Sequence, residues 1–190
     1  MKTQIIKGIS DLLDQFDVML FDAWGVLHDG QKAYPYVVET LQKLREKGKK
    51  SVVVSNSPRL QFSVAETLSQ NGIPENSYDF LHSSGQEGVY FFEGNHPFGT
   101  KCYHFGDDSH RIFFDHVSLQ RVESVDQADF ILNTGFLYDE GGRDINFIDS
   151  ELPMVCLNPD VTVLISGEKK LCAGYYAKLY KEKGGKVHKA

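Results

Sequence analysis

The chain is poor in the features that staple, tether or anchor a protein. Its cysteines, Cys102, Cys156 and Cys172, are three in 190 residues and stand far apart. An odd, sparse set gives no disulfide framework and points to a reducing compartment, here the cytoplasm. It also lacks the close ligand pairs of a zinc site. No apolar run approaches the ~20 residues that cross a bilayer. The start, Met1-Lys2-Thr3-Gln4-Ile5-Ile6-Lys7, has neither the apolar stretch nor the cleavage signal of a secretory leader. No membrane partner is expected. Basic charge is short as well: 20 Lys and Arg against 26 Asp and Glu leave a net charge of −6. That balance offers no footprint for nucleic acid. Internal repeats and low-complexity tracts are lacking too.

What is present suffices for a core. The chain is 41% hydrophobic and 24% charged, as in ordinary globular proteins. Its length fits one large domain or a core with a modest insertion. The stretch that organises it runs from Asp17 to Gly30. Val18-Met19-Leu20-Phe21 reads as a strand buried on both faces, and Asp22 follows at once. A carboxylate at the carboxyl end of a buried strand sits where open α/β sheets bind ligands. Taken alone, Asp22 reads first as a turn cap, and the rest of the chain is what moves it towards a site.

Helical spacing of Val37, Leu41 and Leu44 predicts a helix over 36–47, stopped by Gly48. Ser51-Val52-Val53-Val54 reads as a second strand. Strand, helix, strand over some thirty residues is a βαβ unit with parallel strands. Ser57 as N-cap and Pro58 as first residue predict a helix running to about Gln70. A strand over 79–83 and a short helix over 86–92 follow. Further strands are expected over 101–105, 129–132, 154–157 and 161–165, and a last helix over 173–183. A short amphipathic helix over 9–16 and a solvated basic tail after Glu182 complete the reading.

Adjacent parallel strands bring Asp22 and Ser55 to neighbouring ends, with Asn56 and the start of the Pro58 helix beside them. A hydroxyl and free helix N–H groups make an anion site. A carboxylate facing such a site suits phosphoryl transfer through an aspartyl intermediate.

Together the two segments resemble the first two motifs of the haloacid dehalogenase superfamily, most closely its class II members with an inserted α/β cap. Ala128-Asp129-Phe130-Ile131-Leu132-Asn133-Thr134-Gly135 is similar to that group's cap strand and Thr-Gly turn, and Leu157-Asn158-Pro159-Asp160 to its Asn-Pro-Asp turn. Cys172-Ala173-Gly174, before a helix ending in Gly184-Gly185, resembles its return into the core. The resemblance implies an α/β fold: a Rossmann-like core with an incomplete parallel sheet over 1–96, a smaller cap over 97–168, and a return to the core over 169–190. It implies a Mg²⁺-dependent phosphatase acting on a small phosphorylated metabolite. Asp22 would be nucleophile and metal ligand, and the backbone carbonyl of Trp24 a second ligand. Ser55 and the amide of Asn56 would hold phosphoryl oxygens. Asn158 and Asp160 would shape the cap face; both also suit an Asx turn.

The sequence departs from that pattern. Trp24 stands where most members place a second aspartate as general acid, and an indole N–H has no useful acidity. Asp-x-Trp-Gly-Val resembles a particular branch of class II, and Asp29 or the substrate is the candidate replacement. The Gly-Lys-Pro and Gly-Asp motifs of the family do not appear before Ala190, so a thin Mg²⁺ shell is expected. The strand following Gly-Lys-Pro would flank Val18–Phe21. Without it that strand is an apolar edge, open to homo-oligomer formation or aggregation, or the chain is a fragment of a longer product. A catalytically weak phosphate-ligand or partner-binding module is the alternative function. His104, His110 and His116, six apart, share no helix face and are read as surface or strand residues.

Overall fold

The computed structural model describes residues 5–165 and 167–189. The fold is mixed α/β with parallel sheets, as the sequence implies. The chain divides into two compact units. The first holds residues 1–55 and 65–82, the second 56–64 and 83–190. Residues 83–96 and 169–190 thus group with the 97–168 segment.

The first unit is built on a three-stranded sheet of order β1-β2-β3: β1 (Val18–Asp22), β2 (Lys50–Ser55) and β3 (Phe80–Ser83). β1 and β2 are parallel, with Leu20 beside Val52 and Asp22 beside Val54. Between them runs α1 (Val37–Glu46), which buries Leu41 and Leu44. Gly48 ends it with φ 71 and an N–H to the Arg45 carbonyl, the left-handed exit that glycine makes cheap. Phe21, Leu41, Leu44, Val53, Leu68, Ile73 and Tyr78 are buried here.

β1 is not buried on both faces. It is the edge of its sheet, and Val18 and Leu20 are 51% and 68% exposed while Phe21 is 8%. Side chains alternate along a strand, and only one face of this sheet is covered. Val54 and Phe80, 40% and 64% exposed, are open too. The segment before β1 is a 3-10 helix over Ile9–Gln15 with no buried residue, not an amphipathic α-helix. The α2 helix starts at Gln61, not Pro58, and runs to Gln70. Ser57 accepts the N–H of Arg59 at 3.3 Å in a turn instead, and its carbonyl takes the Gly85 N–H. The division between the units falls within α2.

The second unit is a five-stranded sheet of order β10-β7-β6-β4-β5. It comprises β4 (Lys101–Gly106), β5 (Gln120–Val122), β6 (Phe130–Gly135), β7 (Met154–Cys156) and β10 (Val187–Lys189), paired in parallel. β6, the central strand, is buried along its whole length. α3 (Ser84–Glu93) brings Val89 and Phe92 to one cluster with Phe113, Phe130 and Leu132. α4 (Ala173–Glu182) brings Tyr176 and Tyr180 to another with Phe105, Ile131 and Phe147. Here the basic tail departs from the solvated end expected for it. Val187 pairs with Met154, extending the sheet by one strand. A hairpin of β8 (Thr162–Ile165) and β9 (Glu168–Leu171) stands apart from that sheet.

Candidate functional site

In the first unit the site expected from sequence lies at the ends of β1 and β2. Asp22 is the last residue of β1 and exposed; Ser55 is the last residue of β2 and buried. Register sets Asp22 beside Val54, one residue short of Ser55. By alternation Asp22 continues the open face of Val18 and Leu20, and Ser55 the covered face of Ser51 and Val53. They share the carboxyl edge of the sheet, not a face.

The loop after Asp22 is tightly laced. Leu27 and His28 donate their N–H groups to the Ala23 carbonyl, and Gly25 donates to that of His28 at 2.8 Å. Trp24 is half-buried, its ring edge-on to His28 with centroids 5.4 Å apart. Gly30 has φ 95, and a Cβ there would stand 2.5 Å from the Trp24 indole. The Asp-Gly turn at 29–30 is thus required twice, by backbone conformation and by the ring above it. Asp29 is spent on this turn. Its Oδ1 accepts the N–H groups of Gln31 and Lys32, both at 2.9 Å. Those backbone donors, Lys32 first, hold its carboxyl below the usual range. So engaged by backbone donors, Asp29 is a turn residue and a poor stand-in for the acid missing at position 24.

In the second unit Asn56, Asn158 and Asp160 meet. The Asn56 side-chain amide donates to Asp160 Oδ2, and it lies 3.4 Å from Asn158 Oδ1. Asn158 Oδ1 also accepts the Asp160 N–H at 3.0 Å, so the Asn-Pro-Asp segment is an Asx turn. Gly174 closes against it: a Cβ there would lie 2.2 Å from the Pro159 carbonyl oxygen.

Two polar clusters escaped sequence reasoning. Tyr176 donates to Asp139 at 2.5 Å, with Arg143 at 3.2 Å from the same oxygen and the Gly141 N–H on the other. His104 and His110 both face the Thr134 hydroxyl, at 2.8 and 3.0 Å. Burial pushes both rings down to about 4. Each cluster joins residues some 24 to 37 positions apart, and no local spacing announces such pairs. His28 was missed differently. It lies within the first motif, and its burial amid a polar loop is the only signal.

Magnesium wants near-octahedral oxygen ligation. The donors that the family resemblance assigns are the Asp22 carboxylate and the Trp24 carbonyl. Among the described residues no three His, Cys, Asp or Glu gather as a metal site. Two donors are fewer than a full octahedral shell takes. Among the described residues no helix is long and apolar enough to cross a membrane.

The family model for haloacid dehalogenase-like hydrolases matches residues 19–120. The chain belongs to that family. A chloroplastic phosphoglycolate phosphatase of Arabidopsis thaliana is 31% identical over 109 residues, which cover 57% of this chain and 30% of that protein. A 4-nitrophenylphosphatase of Schizosaccharomyces pombe is 37% identical over 82 residues, 41% of this chain and 28% of that one. The chain therefore spans about a third of the curated relatives it matches. Among solved structures, a haloacid dehalogenase-like hydrolase from Brucella suis superposes with a TM-score of 0.85 at 29% identity, over 97% of this chain and 72% of that one. A glycerol phosphate phosphatase from Mycobacterium tuberculosis in complex with magnesium shares the fold, with a TM-score of 0.70 at 19% identity over 94% of this chain and 55% of that one.

Proposed function

We propose that this family member serves as a phosphatase for a small phosphomonoester, with Asp22 as nucleophile. The observation that carries the reading is an exposed carboxylate ending β1 beside a β2 that ends in Ser55. An Asp22 oxygen attacks phosphorus, and the bond from phosphorus to the ester oxygen breaks. The leaving oxygen takes its proton from water, since neither Trp24 nor Asp29 supplies one. Water then attacks the aspartyl phosphate, releasing phosphate and restoring the carboxylate. Ser55 and the Asn56 backbone N–H serve as donors to the phosphoryl oxygens; the Asn56 side chain is engaged by Asp160. Mg²⁺ is the cation the family resemblance implies; Asp22 and the Trp24 carbonyl are the groups that would hold it, and it would offset charge on the phosphoryl oxygens. The 97–168 segment is the part that the family resemblance assigns as cap, and Asn158 and Asp160 are the residues it assigns to substrate selection. The cytoplasm is the compartment this reading adopts, in keeping with three free thiols.

The test is phosphate release from 4-nitrophenyl phosphate and a panel of metabolite esters, with and without Mg²⁺, by wild type and Asp22→Asn. The reading expects a Mg²⁺-stimulated rate that Asp22→Asn abolishes; equal rates in the two proteins end it. A second reading, a binding module without turnover, is favoured by one observation: the acid position holds Trp24, packed over Gly30. Losing a general acid costs about 10²–10⁴ in rate. A thermal shift with tungstate or phosphate in a protein that releases none would select this reading.

A further inference from the structure

We propose that His28, backed by Asn71, is a positioning residue of the Asp22 loop, held as the neutral imidazole that carries its proton on Nε2. The proposal rests on the phosphatase reading only for its effect on turnover. His28 is 4% exposed. Its Nδ1 lies 2.9 Å from the Gly30 backbone nitrogen, a group that can only donate. Nδ1 must therefore present its lone pair, and in a neutral ring the proton sits on Nε2. That assignment fixes a second one. The Asn71 side chain lies 3.3 Å from the same Nδ1, and only its NH₂ end can face a lone pair, so two donors converge on one acceptor.

The consequence runs along the loop. The bond from Gly30 to His28 sets where Gly30 stands, and Gly30 leaves no room for even a Cβ beneath the Trp24 indole. Trp24 is two residues beyond Asp22. Asn71 joins the same loop from the end of α2, its carbonyl accepting the Ala33 N–H at 2.7 Å. The Gly25 N–H on the His28 carbonyl closes the loop from the other side. A buried apolar residue at 28 would fill this space but take the acceptor away from the Gly30 N–H and the Asn71 amide. The imidazole instead supplies one acceptor, aimed at the glycine on which the Trp24 ring rests.

The experiment uses the full chain with ¹⁵N-labelled histidine, and the variants His28→Asn and His28→Phe. Asparagine offers an oxygen near the place of Nδ1; phenylalanine keeps the ring and removes the acceptor. In wild type, ¹⁵N spectra are expected to show His28 with a bare Nδ1 and a protonated Nε2. The Gly30 amide proton is expected downfield, a shift kept in His28→Asn and lost in His28→Phe. Hydrolysis of 4-nitrophenyl phosphate is expected to fall by about 10²-fold in kcat for His28→Phe with little change in KM, and to recover most of that loss in His28→Asn. A proton on Nδ1 overturns the inference. So does wild-type turnover in His28→Phe, or an equal loss in both variants. If Asp22→Asn leaves the wild-type rate unchanged, the phosphatase reading fails alone, and the tautomer and the Gly30 shift decide the positioning role.

Discussion

Two strands of similar sequence end up in opposite circumstances. Val18–Asp22 and Phe130–Gly135 both open with an unbroken apolar run. β6 lies in the middle of five strands, covered on both faces, and all six of its residues are buried. β1 lies at the edge of three, and alternate residues are open to solvent. The run of apolar residues states what a strand can bury; its neighbours decide what it does bury. The difference also separates two kinds of work. The second unit holds the two large aromatic clusters. The first carries Asp22, an exposed carboxylate at a strand end.

The sharpest way to break this contrast is to truncate a side chain in the covered strand. Phe130 is fully buried against Phe92 and Phe98, ring centroids 5.3 and 5.5 Å away. Phe130→Ala is expected to cost about 3–5 kcal/mol, the lost transfer energy plus a cavity. Urea denaturation followed by circular dichroism measures it. A loss below 1 kcal/mol, by the same scale, would mean that β6 is not the packed centre of its unit.

That contrast also marks where sequence reading succeeds. Elements whose period is fixed locally were legible: α1 from Val37, Leu41 and Leu44, its stop at Gly48, the parallel pair β1 and β2, and the strands β4, β6 and β7. The ends of β1 and β2 were legible as neighbours because a βαβ unit permits little else. Coverage was not, because it depends on residues distant in sequence. β10 was read as a solvated tail because three residues of Val-His-Lys carry no apolar pattern; pairing with Met154–Cys156 makes the strand. The helix start at Gln61 was misplaced because Ser57-Pro58 satisfies the local rule for a cap, while the Gly85 N–H on the Ser57 carbonyl and the Ser83 hydroxyl on the Arg59 carbonyl claim that turn instead. In the candidate site, Asp22 and Ser55 were legible as strand ends. His28 with Asn71 was not, being a pairing across 43 residues.

Acid should single out the second unit. His104 and His110 are both pushed down to about 4 by burial, and His110 Nε2 is buried with no hydrogen-bond partner among the described residues. Their folded pKa values lie below the ordinary 6.5, so the unfolded chain binds protons first. Stability is therefore complete above pH 6.5 and is lost as pH falls from 6.5 towards 4. Within that window each histidine contributes about 1.4 kcal/mol per pH unit. Unfolding free energies from urea titrations at pH 7.5 and 5.0 are expected to differ by about 2 kcal/mol through His110, the more deeply buried ring. In His110→Gln that pH slope should be flatter; an unchanged slope would place the acid sensitivity elsewhere.

A smaller effect is expected where the second unit pins its long loop. Asp139 is 2% exposed and receives Tyr176, Arg143 and the Gly141 N–H. Arg143 also lies over the Phe136 ring, 3.7 Å from its centroid. Tyr176→Phe removes one of three donors from a buried carboxylate and should cost about 1–2 kcal/mol. Proteolysis within 136–153 should accelerate with it. A melt and a digestion pattern both unchanged would show that Arg143 and the Gly141 N–H satisfy Asp139 by themselves.

The smallest effect on folding belongs to the open face of β1, and it carries the partner expectation. Leu20 is 68% exposed, so Leu20→Lys should change unfolding free energy by no more than about 0.5 kcal/mol. An apolar edge strand is a template for another strand, and a lysine there is the device by which edges resist pairing. We propose that wild type self-associates through this edge. Light scattering after size exclusion should show a mass that falls towards 21.5 kDa on Leu20→Lys. Leu164, 62% exposed on the hairpin of the other unit, is the control: Leu164→Lys should leave the mass where it was. A wild type already monomeric at high concentration removes the association, and a mass that responds to Leu164→Lys alone moves it to the hairpin, leaving β1 as an edge that no second copy uses.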